Sequence, residues 1–341
     1  MTRVDRDTPA GYSKRARAPG KPDHPSRLPP RLESPGPGAF AYTVHPGGVH
    51  LDHSAEGFGE LAVRPICGVL GAEVFGVDLS QPLADSVMAT IREALLEYEV
   101  LFFRDQHLSR DAQVAFAQRF GKPDIHPIAD GMAEHPEVIK VWKPAGESAS
   151  FGTGWHTDNS FFESPTILSF LYGVTIPPFG GDTLYASTTR AYEALSETMR
   201  GMLDGLVAVH SASAAYDPQT TGEAKYRGET AITYRYSSVI EEEVEHPVVR
   251  VHPESGRRAI YVNPMFTQRI VGLSARESDA LLELLYQHVA QPDFQCRFRW
   301  QPGSLALWDN RVTQHYALDD YREHERLMYR VTVSADTDNA H

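Results

Sequence analysis

Cysteine is nearly absent from this chain: Cys67 and Cys296 are the two present, with no CxxC spacing. That excludes a disulfide-stapled scaffold and fits a reducing cytoplasm. Long apolar runs are missing as well, so no segment reads as spanning a bilayer. Positive charge is in deficit, with 32 Lys and Arg against 45 Asp and Glu, a net charge of −13. The acids are spread rather than blocked, which argues against nucleic acid or an anionic membrane as partner and favours a small substrate. No repeat and no internal linker is visible in the 341 residues. With 41% apolar and 10% aromatic content, one catalytic domain with a sizeable core is the simplest organisation.

The first part of the chain differs from the rest. Residues 1–55 are rich in Arg and Pro, as in Lys14-Arg15-Ala16-Arg17 and Pro29-Pro30, and poor in large apolar side chains. Such a stretch buries too little surface to offset ordering, so a disordered leader is expected. An organellar signal is disfavoured by Asp5 and Asp7 and by the lack of an apolar h-region. Residues 56–336 are expected to form the catalytic domain.

In that domain, short apolar runs alternate with Gly and Pro. Leu61 to Ile66, Ala72 to Val77, Val100 to Phe103, Val138 to Trp142, Ile167 to Val174, Pro247 to Val251, Ala259 to Val262, Phe294 to Trp300, Ser304 to Trp308 and Arg326 to Val333 read as strands. Helical spacing predicts a helix from Asp85 to Tyr98, a second capped by Ser109 and ending at Gly121, and two short ones at Thr188 to Leu195 and Glu197 to Leu203. A longer helix, Ser274 to Ala290, opens on capping-box spacing, with Leu281, Leu284, Leu285 and His288 on one face. Ala214 to Glu245 is polar and irregular, which predicts a long insertion or lid. The fold class expected is mainly β with flanking helices, a sandwich of jelly-roll type.

His156 and Asp158 stand two residues apart in Trp155-His156-Thr157-Asp158. In an extended segment both side chains point to one face. His315, after the strand-like Leu305 to Trp308, supplies a third candidate. Two His and one carboxylate on a single face leave coordination positions open, the arrangement of non-haem Fe(II) oxygenases. Any one of the 15 His is by itself more often a satisfied core residue than a ligand. His246 and His252 form a rival pair of equal parity, without a comparable motif around them.

Arg326, Met328 and Arg330 alternate onto one face of the last strand, which roots two guanidinium groups roughly 13 Å apart. Inside a barrel they would repel unless each had an anion, and guanidinium suits bidentate carboxylate or sulfonate binding.

Trp155-His156-Thr157-Asp158, Gly180-Gly181-Asp182-Thr183-Leu184, Trp308-Asp309-Asn310-Arg311-x-Thr313-Gln314-His315 and Arg326-x-Met328-x-Arg330 occur in that order. Together they resemble the signature of the taurine dioxygenase family of Fe(II)/2-oxoglutarate-dependent dioxygenases, from about Leu61 to the C-terminus. The resemblance implies a double-stranded β-helix (a cupin-like jelly roll), and Fe(II) held by His156, Asp158 and His315. It implies 2-oxoglutarate as cosubstrate, its distal carboxylate on Arg326 and Thr183, and O₂ as the second cosubstrate. It also implies an anionic substrate gripped by His126 and Arg330, with Phe161 and Phe266 as aromatic walls. Two polar positions that help grip taurine in the family are Ala129 and Gly152 here, which predicts a roomier, more apolar pocket. The expected activity is hydroxylation of a sulfonate or alkyl sulfate ester, giving sulfite or sulfate, succinate and CO₂. The alternative is the same cofactors acting on a carboxylate of aryloxyalkanoate type or a biosynthetic intermediate. The retained carboxylate at Asp158 disfavours halogenation, the intact ligand set disfavours a non-catalytic binding module, and the acidic surface disfavours a nucleic-acid demethylase. A homo-oligomer is compatible with the sequence, which does not set subunit number.

Overall fold

The computed structural model describes residues 61–147, 152–216 and 234–334. The leader expected over residues 1–55 lies outside them.

The helix Asp85–Tyr98 forms because Met88, Ile91, Leu95 and Tyr98 recur at three- and four-residue spacing and bury one stripe. It stops at Glu99, whose φ of 63° turns the chain left-handed into the strand Val100–Phe103. All four residues of that strand are buried because both of its faces are covered. Leu101 and Phe103 join a core beneath the helices Asp85–Tyr98 and Arg110–Gln118, while Val100 and Phe102 point the other way, toward Tyr185, Phe298 and Trp308. Each such fully buried side chain stabilises the fold by about 1.5–3 kcal/mol.

The same split repeats across an eight-stranded sheet. Its order is Ala62–Pro65, Ala72–Phe75, Val100–Phe103, Leu305–Asp309, Leu168–Thr175, Arg326–Ser334 and Lys122–Pro123, with Ile139–Lys143 also paired to Arg326–Ser334. Against its inner face lies a three-stranded sheet in the order Gln295–Phe298, Thr183–Ser187, Thr313–Ala317. The two sheets share a buried cluster that includes Leu171, Met328, Tyr185 and Trp308. This is the expected double-stranded β-helix with flanking helices. A second three-stranded sheet has the order Thr267–Ile270, Val207–Ser211, Glu243–Pro247.

Three expectations change. The stretch from Ala214 to Glu245 is not all insertion: Glu243–Pro247 is a framework strand on Val207–Ser211, and residues 217–233 lie outside the described residues. Two strands, Val207–Ser211 and Thr267–Ile270, carry no strong pattern of their own. The helix Ala275–Val289 has its capping box at Ser274 and Glu277, but buries Ser278, Leu282, Leu285 and Val289, whereas Leu284 is exposed. The true stripe was disguised by a serine, which is buried because Ser278 Oγ accepts from Ile270 N at 2.9 Å.

Candidate active site

His315 sits on the strand Thr313–Ala317, and His156 pairs with it as an isolated antiparallel bridge. His156 N donates to His315 O (3.1 Å) and His315 N to His156 O (2.8 Å), so the two histidines oppose each other directly and their rings lie 4.1 Å apart. Asp158 reaches the same point differently from the expected strand alternation. In this segment only His156 is in a bridge; residues 158–161 form a turn in which Asn159 takes a φ of 53°. Asp158 N donates to Asn310 Oδ1 (3.3 Å), which brings the carboxylate back beneath the histidines. Asp158 Oδ1 lies 3.9 Å from both His156 Nε2 and His315 Nε2. The three residues are a group that can hold a metal ion, the one such group among the described residues.

Buried hydrogen bonds hold these atoms in place. His156 Nδ1 donates to Gly154 O (2.8 Å), which leaves Nε2 with its lone pair for a metal. Trp308 Nε1 donates to Asn310 Oδ1 (3.0 Å), Asn310 Nδ2 to Ser169 Oγ (2.8 Å), and Ser169 Oγ to Asp158 Oδ2 (2.7 Å). Burial alone would push the Asp158 carboxyl up, but Arg330, His315, His156 and Ser169 outweigh it and keep the group well below the usual carboxylate range. Burial pushes both histidines down, with Arg330 adding to it. The donors are therefore carboxylate and neutral imidazole, the forms that bind metal. Gly152 (φ 72°) lies against His156, where an added Cβ would meet the ring at 3.3 Å, so its backbone conformation and this contact both favour glycine.

Arg326 and Arg330 are buried on one face of the last strand with Met328 between them, as the alternation predicts. Their surroundings differ. Arg330 Nη1 donates to Asp158 Oδ1 at 2.9 Å, so the anion beside it belongs to the chain itself. Arg326 lies between the rings of Trp300 and Tyr321, and its Nε and Nη2 have no hydrogen-bond partner among the described residues. Thr183 is close by through Trp300, whose Nε1 donates to Thr183 Oγ1 (2.9 Å); the threonine keeps its own proton to give. A buried guanidinium with unused donors is costly, and a bound carboxylate removes that cost. The residues present thus fit both an Fe(II) ion and the distal carboxylate of 2-oxoglutarate.

A cavity of about 400 Å³ opens onto His156, Asp158 and Arg330 and is walled by Phe266, Met265 and Tyr216. Phe161 packs behind Phe266, ring centres 4.9 Å apart, and supports that wall. Ala129 is buried and bridges Tyr234. His126 is also buried: Nδ1 accepts from Ile128 N (3.1 Å) and Ala129 N (3.0 Å), and Nε2 donates to Asn159 Oδ1 (3.1 Å). Both ring nitrogens are thus used within the chain, and burial together with Arg330 pushes its pKa down to about 3.

The rival pair does not form a site. His246 Nε2 donates to Phe162 O (2.9 Å), and His252 pairs with Asp309 Oδ2 (3.0 Å), which also binds Arg311. Sequence reasoning passed over Ser169 and Asn159. Ser169 could have been found as a polar residue inside an otherwise apolar strand.

The profile of the family described as "Taurine catabolism dioxygenase TauD, TfdA family" matches residues 62–332. The chain is 39% identical over 281 residues to an alpha-ketoglutarate-dependent sulfate ester dioxygenase of Pseudomonas putida, covering 81% of this chain and 90% of that one. It is 38% identical over 287 residues to an alkylsulfatase of Acinetobacter baylyi, covering 83% and 88%. Among solved structures, a taurine dioxygenase from Burkholderia xenovorans matches with a TM-score of 0.68 and 41% identity, over 81% of this chain and 92% of that one.

Proposed function

Because the chain belongs to the TauD/TfdA dioxygenase family and is an Fe(II)- and 2-oxoglutarate-dependent dioxygenase, we propose that it oxidises a small organic anion bearing an alkyl sulfate ester or a sulfonate. The observation that carries this reading is the cavity itself, with the Arg330 guanidinium beside the metal-ligand candidates and aromatic and thioether side chains among its walls. A cation at the base of a cavity that carries Phe266, Met265 and Tyr216 on one wall fits an anionic head with an apolar tail. The 38–39% identity to an alkylsulfatase and a sulfate ester dioxygenase favours the sulfate ester.

His156 Nε2, Asp158 and His315 Nε2 hold the iron; Arg326 and Thr183 hold the distal carboxylate of 2-oxoglutarate. Bound together, iron, 2-oxoglutarate and O₂ supply the oxidising chemistry, leaving succinate and CO₂. What the chain contributes is position. Arg330 draws the sulfate or sulfonate so that the adjacent carbon faces the ligand set, and Phe266 and Met265 line the tail. His126 reaches the anion only by exchanging its bond to Asn159. One oxygen atom enters the C–H bond next to the ester oxygen or sulfur. The hydroxylated product collapses to an aldehyde and releases sulfate or sulfite. A cytoplasmic location is in keeping with the 2-oxoglutarate cosubstrate and with the two free cysteines.

The test is succinate formation with Fe(II), 2-oxoglutarate and O₂ across linear alkyl sulfates, alkyl sulfonates, taurine and aryloxyalkanoates, with sulfate, sulfite and phenol measured in parallel. Sulfate release in step with succinate is expected. Phenol release, or succinate driven only by carboxylates, would replace this reading with the carboxylate alternative.

A further inference from the structure

Tyr185 is fully buried, yet its hydroxyl has no hydrogen-bond partner among the described residues. Buried hydroxyls are almost always bonded, and one left alone costs free energy. The residue lies on the strand Thr183–Ser187, two positions after Thr183, so both side chains leave the same face. On the neighbouring strand Tyr185 stands opposite His315, and Thr183 opposite Ala317. The tyrosine therefore occupies the rung of a metal ligand, and the threonine the rung of the cosubstrate's far end. From the other sheet, Met328 shares its buried cluster, and Met328 is flanked on its face by Arg326 and Arg330. The ring is fixed by edge contacts with Phe102 and Trp308, each at 5.6 Å between centres, so the hydroxyl has little freedom to find another partner. Cys296, Arg326 and Asp158 are all near enough to act electrostatically on the phenol, and of these Arg326 is the one with unused donors.

We infer that the Tyr185 hydroxyl is a further donor to the distal carboxylate of 2-oxoglutarate, beside Arg326 and Thr183. The donor count agrees. A carboxylate offers about four lone-pair sites, and the structure presents Arg326 Nε and Nη2, the Thr183 hydroxyl and the Tyr185 hydroxyl. Trp300 Nε1 is already engaged by Thr183 and does not compete. Two guanidinium donors and one phenol hydroxyl without partners among the described residues are matched by one anion. The inference rests on Arg326 and Thr183 as the distal-carboxylate site.

The test is anaerobic titration of the Fe(II)-loaded protein with 2-oxoglutarate and with 2-oxobutyrate, which keeps the oxo acid but lacks the distal carboxylate. Tyr185→Phe should raise the Kd for 2-oxoglutarate roughly tenfold (~1.4 kcal/mol), leave that for 2-oxobutyrate unchanged, and leave Fe(II) affinity unchanged. Its ligand-free melting temperature should equal or exceed that of the wild type, since the lost hydroxyl has no partner among the described residues. Tyr185→Met, also lacking a hydroxyl, should give the same loss and covers the case in which the phenylalanine variant packs poorly. Unchanged 2-oxoglutarate affinity in either folded variant overturns the inference. Equal losses for both oxo acids overturn it too, placing the hydroxyl at the metal end near His315, whose Nδ1 has no partner among the described residues. Arg326→Leu is the control: if it retains 2-oxoglutarate affinity, the underlying site assignment fails, whereas loss there with none at Tyr185 defeats this inference alone.

Discussion

At the scale of single residues, the site separates two arginines that look equivalent in the sequence. Arg326 waits for an anion with unused donors; Arg330 already holds Asp158. Truncating one partner of a buried charge pair costs roughly 2–5 kcal/mol. Arg326→Leu is therefore expected to weaken 2-oxoglutarate binding about thirty- to several-thousand-fold and stop turnover. Arg330→Leu should leave 2-oxoglutarate binding nearly unchanged and weaken the organic anion. It should not weaken Fe(II), because a cation is removed from beside a site for another cation. Paired anaerobic titrations with 2-oxoglutarate and substrate read the difference; equal loss of 2-oxoglutarate in both variants would reduce Arg330 to scaffold. Replacing His156, Asp158 or His315 by Ala removes one of three donors and should abolish the visible Fe(II)/2-oxoglutarate charge-transfer band. A band that survives in all three variants contradicts the ligand assignment.

At the scale of elements, two local devices can be tested. Ser274 Oγ accepts from Glu277 N while the Glu277 carboxylate takes the Ser274 N–H, closing both ends of the capping box. Ser274→Ala is expected to cost about 1 kcal/mol, seen as a lower denaturation midpoint with an unchanged slope; an unaltered midpoint would mean that packing alone holds the helix. The Gly180-Gly181 turn has a different task. Gly181 has a φ of 67°, and a Cβ there would meet Tyr321 at 3.1 Å and Arg326 Cδ at 3.3 Å. Gly181→Ala is thus strained and pushes on the guanidinium. The expectation is weaker 2-oxoglutarate binding with Fe(II) affinity retained, measured by the same titrations.

At the scale of the whole molecule, burial of histidine sets a pH dependence. His126 and His210 are both pushed down to about 3, by burial first, with Arg330 adding at His126 and His246 at His210. In the unfolded chain a His titrates near 6.5. Between about 6.5 and 3 the unfolded state binds more protons than the folded one, so stability rises with pH across that window. The contribution is complete above about 6.5 and is lost as pH falls. Burial raises the Asp309 carboxyl, but Arg311 and His252 outweigh it and hold the group down to about 2, adding a further loss below about pH 4. Denaturant unfolding of the metal-free protein from pH 7.5 to 5 should show decreasing stability with proton uptake on unfolding, and His210→Gln should lower that uptake. A flat profile would mean that these histidines are not held neutral.

The sequence by itself determined what neighbours along the chain can encode. The helix Asp85–Tyr98 has the bounds its periodicity predicts, the capping box marks the start of Ala275–Val289, and the strand Arg326–Ser334 alternates as expected. The metal-ligand candidates were legible because their motifs are short and contiguous. Tertiary structure decided the rest, because the deciding contacts join residues far apart in sequence. Asp158 is steered by Asn310 and Arg330, 152 and 172 residues away, through a turn where alternation alone predicts a strand. Val207–Ser211 becomes a strand only because Thr267–Ile270 and Glu243–Pro247 supply its partners. That the Tyr185 hydroxyl has no partner among the described residues is likewise a property of the packed sheets. Burial is a relation between distant residues, and a local pattern carries only one side of it.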